Sequence, residues 1–212
     1  QRVGVHTPFE LGADRVKVIH LVHLRLTRGT SRAEEQRPVL FDRQDKMPQW
    51  EPHMVNQFQQ DDLYVEMTFV RTLEVHGFDV SIRQAGIDFA NSGYPLWHAN
   101  KAGRDNLRAG IAPPDSGHPK FNSHADDIDY QIEADYAGLI APGMPNVAIQ
   151  LGEIFGRLMN YGDGLYGGQF VGGMYAEAFF EDDIVKIVEA GLHCIPQDSM
   201  YHECISDLLK WH

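Results

Sequence analysis

Residues 166–180 include Gly167, Gly168, Gly172, Gly173, Ala176 and Ala178 among a few large apolar side chains. A helix so rich in glycine is costly, at about 0.5–1 kcal/mol per glycine relative to alanine. That cost makes sense only where neighbouring backbones approach closely, so this segment is expected to be a helix at the centre of its domain. The surrounding chain repeats its apolar residues near every 3.6 positions. From Asp61, the residues Leu63, Met67, Val70 and Leu73 form one face, with Gly77 placed as a C-terminal cap. Further helices are expected over 81–92, 101–109, 130–139, 146–159 behind an Asn146 cap, 182–190 with Gly191 as its stop, and 199–211. No strand–helix alternation follows Met47, so the expected fold is an all-α, multi-helix orthogonal bundle over 47–212. Residues 1–46 read as a separate basic segment. There Val16, Val18, Leu21 and Leu24 suit a strand or an irregular helix equally, and 28–43 looks like a polar connector.

A chain of 212 residues, 43% apolar and 23% charged, can bury one sizeable core. The net charge of −12 excludes a non-specific nucleic-acid or anionic-membrane surface, because both need clustered Lys and Arg. The imbalance is regional: residues 1–46 carry nine Lys/Arg against six Asp/Glu, which leaves nine against twenty-four for the remainder. No run approaches the roughly 20 apolar residues of a membrane span. Cys194 and Cys204 lack CxxC spacing and read as buried small apolar side chains, which fits a reducing compartment and a cytoplasmic location. An amphipathic pattern of Ile205, Leu208, Leu209 and Trp211 runs to the last residue without a cap, as expected of a fragment.

Three acidic clusters stand out, each at an expected helix end or loop. Asp61-Asp62 heads an apolar helix, where adjacent carboxylates serve either as a cap or as ligands of a bound cation. Residues 124–136 carry Asp126, Asp127, Asp129, Glu133 and Asp135 with no Lys or Arg to pair them, so the segment is either a solvated acidic face or the binding site for something positive. Gly162-Asp163-Gly164 offers an aspartate between glycines, as a ligand-binding loop or a capping turn. Oxygen ligands without a Cys or His cluster point to a hard cation. Of the eleven histidines only His20 and His23 are closely spaced, and they fit no zinc motif. Trp97 and His98, near Tyr94, either line a sugar or base pocket or pack in the core.

In their order, these clusters resemble a bacterial branch of the ADP-ribosylglycohydrolase family. The resemblance rests on QDDLYVEMTF at 60–69, HADDIDYQIEAD at 124–135 followed by APGMPN at 141–146, and NYGDGLYGGQFVGGMYA at 160–176. It implies a binuclear Mg²⁺ site, with Mn²⁺ as a substitute, held by Asp61, Asp62 and Asp163. It also implies metal-dependent cleavage of a ribosyl bond by water attack on the anomeric carbon of a small-molecule or ADP-ribosylated substrate. Gln60 stands where the family more commonly has threonine, and Gly-Asp-Gly-Leu-Tyr replaces its late Asp-Thr-Asp-Thr. Expected catalytic residues are Glu133, Asp135 and, from an early motif, Glu10; expected substrate contacts are Asp127, Gln131, Tyr166, Trp97 and His98. The competing expectations are a non-catalytic or truncated relic that binds ADP-ribose or a nucleoside, and a homo-oligomer subunit with the small-residue helix as its interface.

Overall fold

The computed structural model describes residues 61–211, with the side chains of 62–211. Within them are nine α-helices and no strand. The basic segment 1–46 and Glu10 lie outside the described residues, as does the Asp61 side chain.

Helix α1 (Asp61–His76) buries Val65, Phe69 and Leu73. It ends at Gly77, whose N–H reaches the Leu73 carbonyl at 2.8 Å and whose φ of 78° turns the chain out of the helix. Helix α2 (Ile82–Ala90) is capped by Ser81, which accepts the Gln84 N–H. Helix α3 (His98–Arg108) starts three residues before the expected position. Its cap residue Trp97 makes no side-chain hydrogen bond, and the acceptor comes from elsewhere in the chain.

The single helix expected over 130–139 is two, α4 (Asp129–Ile132) and α5 (Asp135–Leu139). Glu133 leaves helical geometry at φ −115°, ψ 2° and is fully enclosed against Asn100. Helix α6 is Pro145–Phe155. The expected Asn146 cap is instead an exposed residue inside the helix, because Pro145 takes the first helical position, where its missing N–H costs nothing. Helix α7 is Asp163–Glu177 and α8 is Ile184–Leu192, capped by Asp183. Gly191 does not stop α8 but lies within it, because a Cβ there would strike Met174 and Phe170. Helix α9 (Met200–Trp211) buries no residue fully.

Helix α7 is central, as its composition predicts: α4, α5, α6 and α8 all pack against it. Gly164, Gly168 and Gly172 form an i, i+4, i+8 stripe against which Ala125, Tyr130 and Ala134 lie. A Cβ on Gly164 would sit 2.6 Å from the Ala125 carbonyl, and one on Gly168 would enter the Tyr130 ring. The main core joins α1, α2, α5 and α6 through Phe69, Phe89, Tyr136 and Phe155, with the Phe69 and Phe155 rings 4.7 Å apart. A smaller cluster of Phe170, Leu192 and Ile195 supports α9 through Tyr201, Ile205 and Leu209. Cys194 is buried as expected; Cys204 is exposed on α9, and both thiols are free. No helix among the described residues is long and apolar enough to cross a membrane.

Candidate functional site

Two buried asparagines shape the acidic stretch before α4. Asn122 donates through Nδ2 to the Ala99 and Met159 carbonyls and accepts the His124 N–H. Asn160 donates to the carbonyls of Ala125 at 2.9 Å and Asp127 at 2.7 Å, and accepts the Tyr130 N–H. Each satisfies several buried backbone groups at once, so the loop has little freedom.

The loop so fixed brings its acidic residues to the start of α3. Asp129, 8% exposed, accepts the Asn100 N–H at 3.0 Å, supplying the helix with the cap that Trp97 lacks. Burial raises its carboxyl above the usual range, with Asp127 adding to the effect. Asp127 Oδ2 lies 2.8 Å from His124 Nδ1 and 3.6 Å from His98 Nδ1. The two imidazoles stack at 5.4 Å with planes 8° apart. His98 holds φ at 43°, the one non-glycine residue with positive φ among those described. One ligand atom each from His98, Asp127 and Asp129 falls within 4.8 Å of the others.

A second grouping joins α1 to α5. Asp62 and Glu66 are four residues apart on α1 and interact electrostatically, and Glu66 hydrogen-bonds Asp135 of α5. Burial above all, then the hydrogen bond and the two acidic neighbours, push the Glu66 carboxyl up to about 8. One oxygen of Asp135, Oδ1, is buried without a hydrogen-bond partner. Glu133 accepts from Asn100 Nδ2, and its charge adds to the burial that raises the hydroxyls of Tyr130 and Tyr136. Asn100 thus touches Asp129 through its backbone and Glu133 through its side chain.

The expected residues are therefore divided. Asp62 and Asp135 both neighbour Glu66, and Asp127 lies 3.6 Å from His98. Asp163 lies elsewhere: its Oδ1 accepts the Tyr201 N–H at 3.1 Å at the start of α9. Gln131 packs on α7 at Gly167, and Tyr166 joins the smaller apolar cluster. Trp97, 43% exposed, does not pack in the core. Sequence reasoning named Asp129 only as one carboxylate of the acidic stretch and did not single out Glu66 or His124. The i, i+4 spacing of Asp62 and Glu66 was a usable signal, whereas the meeting of His98 with His124 across 26 positions left none. A cavity of about 480 Å³ lined by Thr68, Arg71, Thr72, His76, Asp88 and Tyr94 contains none of the expected residues.

Comparison of the chain with family models, curated proteins and solved structures finds no match.

Proposed function

We propose that this chain is a divalent-metal-dependent glycohydrolase of the ADP-ribosylglycohydrolase type. What supports the reading is that Glu66 of α1 has both Asp62 and, from α5, Asp135 as electrostatic neighbours, at the head of the helix that bears the QDDLYVEMTF motif. The donor types suit a hard cation, although among the described residues it is His98, Asp127 and Asp129, not these carboxylates, whose ligand atoms gather within 4.8 Å. The donors are all oxygen, the influences that raise Glu66 include no cation, and Asp135 keeps a buried oxygen without a partner. Asp62 and Glu66 would hold Mg²⁺ or Mn²⁺, with Asp61 joining by motif. When bound, the metal supplies Lewis acidity towards ribose hydroxyls and water.

The chain's own residues do the rest. Asp135, only partly buried, is the base that takes the proton of the attacking water. Glu133, expected beside it as a base, is enclosed and held by Asn100, so it positions the α4–α5 bend and adds negative charge near a developing oxocarbenium ion. The substrate is ADP-ribose on a protein side chain or a related ribosyl compound.

The test is hydrolysis of ADP-ribosyl-arginine, ADP-ribosyl-serine and nucleosides with Mg²⁺ and with EDTA. Cleavage of one class that EDTA and Asp62→Ala both abolish is expected. No cleavage of any class, or cleavage indifferent to EDTA, overturns the proposal. A second reading, a non-catalytic ADP-ribose-binding relic, is favoured by Asp163, one of whose oxygens caps α9. It predicts calorimetric binding of ADP-ribose without turnover.

A further inference from the structure

Asp127 is reached by two imidazoles from different parts of the chain, and a third group, the nine-tenths-buried Asp129, lies beside it. We propose that His98, His124, Asp127 and Asp129 form a site for one first-row divalent transition metal of the zinc or cobalt kind. This site is separate from the carboxylates of α1 and α5, and the proposal does not depend on the glycohydrolase reading.

The geometry is close to what such an ion needs. Ligand atoms about 2.1 Å from a tetrahedral metal stand roughly 3.4 Å from one another. His98 Nδ1 and Asp127 Oδ2 are already 3.6 Å apart, and no pair among the His98, Asp127 and Asp129 ligand atoms exceeds 4.8 Å. Binding would draw these atoms together by side-chain rotation. His124 Nδ1 is 2.8 Å from Asp127 Oδ2 but outside the 4.8 Å group, and would turn towards the ion to become the fourth ligand.

Ligand chemistry selects the metal. Two imidazoles with two carboxylates, and no thiolate, suit zinc, cobalt or manganese better than magnesium or calcium. The surrounding groups are of the kind that orient metal ligands: the Asn100 N–H on Asp129, Asn160 on the Asp127 carbonyl and Asn122 on the His124 N–H. Asn100, whose backbone N–H binds Asp129, is 1% exposed, and its side-chain Oδ1 has no hydrogen-bond partner. The ion pairs of Asp127 are with the two histidines and include no Lys or Arg among the described residues. The His98 side chain is 68% exposed, which leaves an entry path from solvent.

The experiment is titration of the full chain with Co²⁺, read by visible absorption, followed by competition with Zn²⁺. One equivalent of Co²⁺ should give d–d bands that Zn²⁺ removes. Asp127→Asn and His98→Gly, the latter keeping the positive φ, should each weaken Co²⁺ binding on the order of tenfold or more. Asp62→Ala should leave it unchanged, which distinguishes this site from that of the proposed hydrolase. If His98→Gly fails to fold, Asp127→Asn and His124→Ala decide the matter, with metal-free melting curves as the check on folding. Absence of the bands, or bands that survive both substitutions made in folded protein, overturns the proposal.

Discussion

Asp129 accepts the Asn100 N–H at 3.0 Å and so closes a helix whose own first flanking residue, Trp97, provides no acceptor. The cap is borrowed from a position 29 residues away. It joins the acidic loop to α3 and sets the position from which Asn100 reaches Glu133.

Asp129→Ala should therefore destabilise the fold by about 1–2 kcal/mol, the range for losing a capping acceptor. Asp129→Asn keeps an acceptor oxygen without the buried charge and should recover most of that loss. Urea unfolding of both variants tests the ranking; equal stabilities for Asp129→Ala and the parent chain would remove the capping role.

Glu66 gives the metal-free protein a definite pH dependence. Its carboxyl is raised from 4.5 to about 8 by burial, Asp135 and Asp62, so the folded state binds this proton more tightly than the unfolded one. The contribution is fully present below pH 4.5 and is lost as pH rises towards about 8. Urea midpoints measured in EDTA across that window should fall more steeply for the parent chain than for Glu66→Gln. Parallel slopes would contradict the raised value.

The crossing of α5 on α7 tolerates no added side-chain atom at Gly138, because a Cβ there would overlap the Gly172 carbonyl, the Tyr175 side chain and the Ala176 nitrogen. Gly138→Ala should cost about 1–3 kcal/mol or more, as overpacking against backbone does. Gly93→Ala, with nothing within 4 Å of the new Cβ, is the matched control and should be close to neutral. Thermal melts of the two variants check the contrast.

The two thiols should differ in reactivity. Burial pushes Cys194 up to about 11, while Cys204 is exposed on α9. At pH 8 the folded chain should take up one equivalent of an alkylating reagent at Cys204, and Cys194 should react only on unfolding. Rapid modification of both in the folded protein would refute the burial of Cys194.

The helices that carry a full apolar face were legible in the sequence. Gly77 acts at its expected cap because that effect is local, and Ser81, read only as the first residue of a helix, caps it. The central place of α7 followed from a composition that only close packing tolerates. What sequence periodicity could not supply were boundaries determined by distant partners. The start of α3 depends on Asp129, and the break between α4 and α5 accompanies the enclosure of Glu133 against Asn100. The candidate site was legible in the same measure. Asp62 and Asp135 were chosen from motifs, whereas the pairing of His98 with His124 arises from backbone held by Asn122 and Asn160.

The glycine stripe of α7 bears on both acidic segments. Helices α4 and α5 both rest on α7, and Tyr130 and Ala134 contact it where glycine leaves no slack. Asp129 at the start of α4 and Asp135 at the start of α5 are thus carried by two short helices seated on one glycine-lined helix. Enlarging Gly168 or Gly172 should therefore disturb both acidic segments together, not one alone.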